Sequence, residues 1–579
     1  MTEQRGPVLE APEPVPAEGT TDPSPQRRVR RVTSGRVVVL RRLAGLLLVA
    51  VPVLWSLQRA APVGEALVNH GGLSQLGELV ATVAHPALGR DFLAVVLRAT
   101  GVTVAYAVLG AVGALLLGAA GGLVLSDAVW GPSPRVPVRA VRLVLRGLLV
   151  AVRSIHELIW ALLLLSVLGL DPLVAVLAIA LPFGAQTAQV FGETLDGVPP
   201  GPLGALRGAG VRGLPAVVYG LIPGAGALLI SYSFYRLECS IRSTVLLGVV
   251  GVGGLGQELV VSLSSRKWGE VWTLVGAVVL LSAAVDLWSS RLRSDLALAS
   301  CSEWSGGKQA GDVGRVPGGS RWARWSARAV LPATVVAWLA SGVSVTGLFS
   351  PRSRKLGTRL LADLWPPRLP RGGWEVLLGA VADTLAMAVL AMGVAVVITL
   401  LVGPWAARSR VLAKRGVLQA GLWWVARAVL LVLRSIPPTI WAVVALLALF
   451  PGVLPGALAL GLYTGGILGR LVAEAWESVD IRPWEAVRRA GVSRGLSSLV
   501  ATMPPSSHQL VTYTLYRFEI CVRDTAVVGV VGAAGLGRLF QENLAAFRFP
   551  VITTLLLASL AVSVAVEVLG RRVRRALRA

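Results

Sequence analysis

One decapeptide occurs twice in this chain, and its recurrence decides how the whole sequence is organised. It reads Tyr235-Arg236-Leu237-Glu238-Cys239-Ser240-Ile241-Arg242-Ser243-Thr244 and, 281 residues later, Tyr516-Arg517-Phe518-Glu519-Ile520-Cys521-Val522-Arg523-Asp524-Thr525. Each copy precedes an apolar, glycine-rich run, Val245 to Gly256 and Ala526 to Gly537. The same offset relates Arg153-Ser154-Ile155 to Arg434-Ser435-Ile436. We therefore interpret one half as a duplicate of the other, because self-similarity at a fixed offset is the signature of repeated structural units.

The composition places both copies in a membrane. The chain has 579 residues, of which 54% are hydrophobic and only 15% charged, and its mean hydropathy is +0.70. Apolar stretches long enough to span a core of about 30 Å begin near residues 43, 93, 141, 172, 217 and 269, and again near 327, 376, 423, 452, 497 and 551. The sequence thus predicts an all-α polytopic membrane protein of about twelve spans, six in each repeat.

Four parts follow from this pattern. We predict a disordered cytoplasmic N-terminal tail at 1–40, a first repeat at 41–290, a cytoplasmic linker at 291–325 and a second repeat at 326–579. The tail is rich in Pro and Glu and lacks the hydrophobic core of a cleavable signal peptide. The linker is polar and rich in glycine, as flexible connections are.

The charge distribution predicts the orientation of the repeats. The formal net charge of +24 would suggest a nucleic-acid partner in a soluble chain. Here the basic residues cluster before the first span, at the C-terminus and after the second span of each repeat. The latter loops contain Arg135, Arg139, Arg142 and Arg146, and Arg408, Arg410, Lys414 and Arg415. Positive loops face the cytoplasm, so we expect parallel repeats, cytoplasmic termini and no nucleic-acid partner. The basic segment from Arg352 to Arg371, placed outside, is the exception.

The sequence lacks the motifs of several enzyme classes. The four histidines have no metal-ligand spacing, the three cysteines form no CxxC pair, and no GxxxxGK[ST] loop is present. Gly251 to Gly256 matches the dinucleotide fingerprint GxGxxG, but no strand–turn–helix context surrounds it, and its duplicate breaks the pattern. Close helix packing or an irregular membrane segment explains these glycines better. We expect a non-enzymatic protein without a metal or cofactor of its own.

A polar stretch between the fourth and fifth predicted spans resembles the EAA loop of ABC-importer permeases, the helix that docks into the ATPase subunit. In the second repeat Glu485-Ala486 is followed by Gly491 and later by Pro504. In the first repeat Gly204 replaces the glutamate, and the prolines just before it should weaken the helix. The predicted coupling residues are Ala205, Arg207, Gly210, Glu485, Ala486, Arg488 and Gly491.

The duplicated decapeptide and the glycine run after it resemble the permease of bacterial phosphonate ABC transporters, here with two copies fused in one chain. The resemblance implies a type I importer fold in a bacterial cell membrane and ATP-driven uptake of phosphonate, phosphate or phosphite by alternating access. It also implies two cytoplasmic ATP-binding subunits, which hold ATP and Mg²⁺, and an extracytoplasmic phosphonate-binding protein.

The charges of the decapeptide support an anion pathway. Arg236 lies 13 residues after Pro223, about 20 Å along a helix, where a charge is costly unless it faces a cavity or a partner. Glu238 and Arg242 can neutralise each other at i,i+4, which leaves Arg236 unpaired. The predicted pathway residues are Tyr235, Arg236, Glu238, Arg242 and their counterparts Tyr516, Arg517, Glu519 and Arg523. A two-fold axis would bring Arg236 and Arg517 together around one anion. Alternatively, both arginines snorkel to the interface or brace the fold.

Three other functions remain open at this stage. Twelve spans in two parallel halves are also the plan of some secondary transporters, which would move anions without an ATPase. An ABC permease for a different small substrate would share the coupling loops. A structural or assembly protein could use the arginine-rich tails to bind anionic lipid.

Overall fold

The computed structural model describes residues 47, 50–61, 66–131, 136–304, 321–407, 417–480, 482–497, 500–501 and 503–578. The chain divides into two units, Met1–Val51 and Pro52–Ala579. Only Leu47, Ala50 and Val51 of the first unit are described, and all three are helical. The predicted N-terminal tail and the basic loop at 408–415 lie outside the described residues.

The regular secondary structure of the described part consists of helices joined by loops. It includes two 3₁₀ turns, Thr82–Ala84 and Val345–Phe349, and one isolated bridge between Val68 and Leu449. The helices up to the predicted linker are α1 (residues 50–60), α2 (His70–Ala81), α3 (Arg90–Leu125), α4 (Asp127–Trp130), α5 (Val136–Ser154), α6 (Glu157–Leu168), α7 (Pro172–Asp196), α8 (Gly201–Gly208), α9 (Leu214–Gly220), α10 (Ile222–Gly248), α11 (Leu255–Ser264) and α12 (Trp268–Trp304).

The helices of the second repeat follow in the same order, except that the residues equivalent to α4 lie outside the described part. They are α13 (Arg321–Ser341), α14 (Pro351–Asp363), α15 (Gly373–Ala406), α16 (Val417–Ser435), α17 (Pro438–Ala448), α18 (Val453–Ser478), α19 (Arg482–Arg489), α20 (Arg494–Ser497), α21 (Met503–Val530), α22 (Leu536–Ala545) and α23 (Phe549–Arg578). The all-α prediction is confirmed. Helix α12 continues into the predicted linker as far as Trp304, and residues 305–320 lie outside the described part.

Among the described residues, six helices are long and apolar enough to cross a membrane, or nine if each sharply bent helix pair counts as one span. All nine begin near the start of an apolar stretch that the sequence predicts to span the membrane. The three bent pairs are α5–α6 (94°), α9–α10 (75°) and α16–α17 (92°).

Of the other three predicted spans, the one near 43 falls partly outside the described residues. The one near 327 is short, with an apolar part at Arg328–Ser341. The one near 497 corresponds to α21, which carries four charged residues (Arg517, Glu519, Arg523 and Asp524).

One helix of each repeat packs against the hydrophobic core of the other repeat. Ile159 and Leu162 of α6 pack in a buried cluster with Leu377, Leu536 and Ile552 of the second repeat. Reciprocally, Ile436 and Ile440, at the start of α17, pack in a cluster formed by α3, α11 and α12 of the first repeat. This exchange follows from the bends, because each bend turns a short apolar helix so that one face reaches the other repeat while another face stays packed in its own. The two repeats therefore share their cores in the manner of a two-fold interface.

Candidate substrate pathway and coupling helices

Each bent pair that reaches into the other repeat turns at the duplicated Arg-Ser-Ile. α5 ends at Ser154 and α6 begins at Glu157, where the His156 ring accepts a hydrogen bond from the backbone N–H of Leu158 (3.2 Å). In the second repeat α16 ends at Ser435 and Pro438 opens α17, a first-turn position at which proline costs no helical hydrogen bond. We call these two turns the elbows.

The arginine of each elbow forms an ion pair with a carboxylate on the last long helix of the other repeat. Arg153 lies 3.2 Å from Glu567 of α23, and Arg434 lies 2.7 Å from Asp286 of α12. The two carboxylates are themselves 281 residues apart, so both contacts obey the same reciprocal relation. Sequence reasoning missed them, although an intramembrane carboxylate at matching positions of both repeats was a signal that could have found them.

The two inter-repeat ion pairs are not equal. Asp286 also pairs with Arg470, whose Nε donates to Glu474 (2.7 Å). The first repeat has Gln189 where the second has Arg470, and Gln189 donates to Glu193 instead (2.8 Å). One inter-repeat contact thus joins a carboxylate to two largely buried arginines, while Glu567 has Arg153 and the more distant Arg571 (3.8 Å).

A second asymmetry lies at the first elbow. The His156 ring sits between two carboxylates, 3.3 Å from Glu157 and 3.5 Å from Asp524 of the other repeat. The hydroxyl of Ser243 donates to Glu157 (2.7 Å). At the second elbow Pro437 and Pro438 occupy the positions of His156 and Glu157. The first elbow is therefore polar, whereas the second is fixed by two prolines.

The predicted i,i+4 pairs of the decapeptide are present in both repeats. Arg242 forms an ion pair with Glu238 on α10, and Arg523 lies 3.5 Å from Glu519 on α21. Tyr235 and Tyr516 are both exposed. The role of these residues in a substrate pathway stays a prediction.

Arg236 and Arg517 are both buried on their helices, each with 7% of its surface exposed. Within the described part of the chain neither forms an ion pair, as predicted. Arg236 is nevertheless well held: its Nε donates to the Tyr232 hydroxyl (2.8 Å) and its Nη2 to Gln186 (2.7 Å). Arg517 has only a long contact with the Thr464 hydroxyl (3.5 Å). Burial disfavours the alternative in which both arginines snorkel to the interface.

The two predicted coupling segments are short helices of equal length, α8 and α19. The prolines before Gly204 do not prevent α8, because Pro202 falls in its first turn, where proline is tolerated. Gly210 and Gly491 follow the helices with φ values of +88° and +85°, the left-handed conformation with which glycine ends helices. α8 is therefore as long as α19, and the lower stability expected of it stays a prediction.

Different contacts hold the two coupling helices. Arg207 of α8 donates to the carbonyls of Ala128 and Val129 in α4 (3.1 and 2.7 Å). In the same region Arg142 donates to Asp127 (2.6 Å), and this bond holds the pKa of the Asp127 carboxyl below its usual range. In α19, Arg488 donates to the Val492 carbonyl (2.8 Å). Glu485 lies 3.4 Å from Arg489, and Ala486 is exposed.

No group of three His, Cys, Asp or Glu side chains that could hold a metal ion occurs among the described residues. The glycine-rich run packs helices against each other. Gly254, with a φ of +80°, precedes α11, and the backbone N–H of Leu255 donates to the Thr103 hydroxyl of α3 (2.9 Å). In the second repeat Leu536 donates to Thr384 in the same way (3.0 Å). This geometry supports the packing interpretation of these glycines.

Comparison with known proteins identifies the family to which this chain is related. Residues 416–579 match the family described as binding-protein-dependent transport system inner membrane component. The phosphate-import permease protein PhnE of Mycolicibacterium smegmatis is 30% identical over 440 residues, 76% of this chain and 78% of that protein. The phosphite transport system permease protein PtxC of Stutzerimonas stutzeri is 33% identical over 216 residues, 37% of this chain and 76% of that protein.

Among solved structures, the chain resembles inward-facing forms of the MetNI methionine ABC transporter, with 23% identity and a TM-score of 0.32, over 35% of this chain and 96% of that one. The match to PtxC covers three quarters of that protein with little more than a third of this chain, as expected if two permease copies are joined here. The chain belongs to the family of inner-membrane permeases of binding-protein-dependent ABC transporters that includes the named phosphate and phosphite permeases, and it carries two permease repeats in one polypeptide.

Proposed function

We propose that this chain forms the complete membrane pore of an ATP-driven importer for a phosphorus oxyanion, with phosphonate, phosphate and phosphite as candidate substrates. The observation that carries the proposal is the pair of buried arginines at equivalent positions of the two repeats, Arg236 and Arg517. A guanidinium presents several N–H donors to the oxygens of such an anion. The names of two relatives give phosphate and phosphite as their substrates, which supports the same chemical class.

The proposed mechanism is alternating access. Each repeat holds the elbow helix of the other, so a displacement of one repeat is transmitted to the other as a rigid-body movement. Binding and hydrolysis of ATP would shift the population between inward-open and outward-open forms. Conduction itself requires no covalent chemistry by this chain.

The proposal includes separate partners. Two cytoplasmic ATP-binding subunits would hold ATP and Mg²⁺ and dock on α8 and α19, the two helices with the EAA-like sequence. An extracytoplasmic binding protein would deliver the substrate to the opposite side. In this arrangement both termini are cytoplasmic, the protein is a multi-pass component of the bacterial cell membrane, and the chain itself binds no cofactor.

Reconstitution tests the function. Proteoliposomes that contain this chain, its ATPase and its binding protein should take up phosphate, methylphosphonate or phosphite only when ATP is supplied on the ATPase side, and sulfate and amino acids should be taken up much less. A parallel preparation with this chain alone and an imposed ion gradient should take up none of them. Gradient-driven uptake without an ATPase would contradict the proposal and favour a secondary transporter.

The coupling helices should differ in their importance for ATPase docking. We expect Glu485→Ala to weaken binding of the ATPase about tenfold or more, the effect of losing one well-placed interface residue. Gly204→Ala should change binding by less than about twofold, because a Cβ at Gly204 would have no atom within 4 Å. The measurement is the affinity of the detergent-solubilised permease variants for the purified ATPase. Equal losses for both variants would contradict the inequality of the two helices.

A further inference from the structure

The two buried arginines occupy equivalent positions but have different surroundings. Around Arg236, the Tyr232 hydroxyl and the Gln186 side chain accept hydrogen bonds at 2.8 and 2.7 Å, and the guanidinium carbon lies 4.9 Å from the centre of the Phe183 ring. The donors of Arg236 and one of its faces are therefore engaged within its own repeat, where hydrogen bonding and the aromatic ring compensate the buried charge.

The second repeat lacks two of these three groups. Ile467 stands at the position of Gln186 and has no hydrogen-bond acceptor, and Thr464 stands at the position of Phe183 and has no ring. Tyr513 occupies the position of Tyr232 but packs in an apolar cluster. Among the described residues the buried Nε of Arg517 has no hydrogen-bond partner.

This difference matters because the two guanidinium groups are equally buried. A desolvated cation whose N–H groups lack acceptors is unfavourable, and it persists where the rest of the structure fixes it and function requires it. Tetrahedral phosphorus oxyanions offer several acceptor oxygens and a negative charge. Among the described residues Arg517 has no ion pair, a long contact with the Thr464 hydroxyl and no acceptor for its Nε.

The neighbours of Arg517 also place it near the boundary between the repeats. On the same helix, α21, Arg523 donates to the Arg153 carbonyl of the first repeat (3.5 Å), and Asp524 lies 3.5 Å from His156 of that repeat. An anion held by Arg517 would have the Thr464 hydroxyl beside it as a further donor.

We propose that the oxyanion-binding group of the pore is one-sided: Arg517 binds the phosphorus oxyanion during transport, with Thr464 beside it, whereas Arg236 is a positioning residue locked into the packing of the first repeat. This inference rests on the proposed function, since it assumes an oxyanion substrate. The two arginines are then not equivalent: Arg517 binds the anion, and Arg236 stabilises the packing of the first repeat.

Opposite effects on stability and uptake test the asymmetry. In the complete importer with inorganic phosphate and methylphosphonate as probes, Arg517→Gln should lower ATP-driven uptake about tenfold or more below that of Arg236→Gln, as expected for one charged hydrogen-bonding group. Arg517→Gln should leave the thermal unfolding temperature unchanged or raise it, because it removes an uncompensated buried charge. Arg236→Gln should lower that temperature, because Tyr232 and Gln186 lose their donor.

A matched pair of variants tests the same idea without removing either arginine. Ile467→Gln places beside Arg517 the amide that holds Arg236 in the first repeat, and it should reduce uptake about tenfold because this amide competes with the anion. Ile467→Met has a similar size but no such acceptor and should stay within about twofold of the wild type. This pair decides the question even if Arg517→Gln does not assemble.

The outcomes separate the inference from the function. If the wild-type importer takes up none of phosphate, methylphosphonate and phosphite with ATP, the proposed function itself is wrong. If it does, equal losses in uptake for Arg236→Gln and Arg517→Gln, or equal behaviour of Ile467→Gln and Ile467→Met, would overturn the one-sided site and leave the importer function standing.

Discussion

Replacing Asp286 with asparagine is expected to destabilise the folded permease by about 3–5 kcal/mol, the typical effect of removing one partner from a buried ion pair. Asp286 is the shared carboxylate of Arg434 and Arg470, and both arginines are largely buried. The substitution would leave Arg434 without a carboxylate partner and Arg470 with only the half-exposed Glu474. A fall in the thermal unfolding temperature of the purified permease in lipid nanodiscs would measure the loss.

Two comparisons make this prediction specific. Glu474→Gln removes the other partner of Arg470, but the Glu474 side chain is 45% exposed, and such pairs contribute about 1 kcal/mol or less. Adding Arg470→Gln to Asp286→Asn should partly restore stability, because it removes one of the two cations that Asp286 had neutralised and installs the glutamine that the first repeat has at this position. If Asp286→Asn proved as mild as Glu474→Gln, the inter-repeat ion pair would not stabilise the fold.

The repeats and most helices could be predicted from the sequence because both leave a one-dimensional signal. The 281-residue offset is visible without any structure, and so is the i,i+4 spacing of Glu238 and Arg242. The elbows could not be predicted in the same way. An apolar run from 141 to 168 has the same hydropathy whether it is straight or bent by 94°.

The contacts between the repeats could not be predicted from the sequence for a different reason. An internal repeat identifies which residues are equivalent, but not whether a residue contacts its own repeat or the other one. Arg153 and Glu567 are far apart in sequence, and only the bend at Ser154 brings α6 into the second repeat. Of the partners of Arg236, Tyr232 at i−4 was within reach of sequence reasoning, whereas Gln186 on α7 required the packing of two helices.

Substituting alanine for Gly256 should be among the most damaging single changes in this chain. A Cβ at this position would lie 1.8 Å from the carbonyl oxygen of Val245 and 3.1 Å from the Cα of Gly248. Both neighbours are backbone atoms of α10, so no side-chain rotation can relieve the clash, and α11 must move away from α10. That movement would also stretch the hydrogen bond from Leu255 to Thr103.

We expect Gly256→Ala to cost about 3 kcal/mol or more, at or above the upper end for overpacking a core. Gly537→Ala should also be damaging, but less so, since its Cβ would lie 2.3 Å from the carbonyl oxygen of Ala526. Gly276→Ala is the control: this glycine lies within α12 with no atom within 4 Å of a Cβ, and alanine should stabilise the helix by up to about 1 kcal/mol. Thermal unfolding of the three variants gives the comparison. If Gly256→Ala and Gly276→Ala unfolded alike, α11 could shift freely, and the glycine run would have to serve something other than close helix packing.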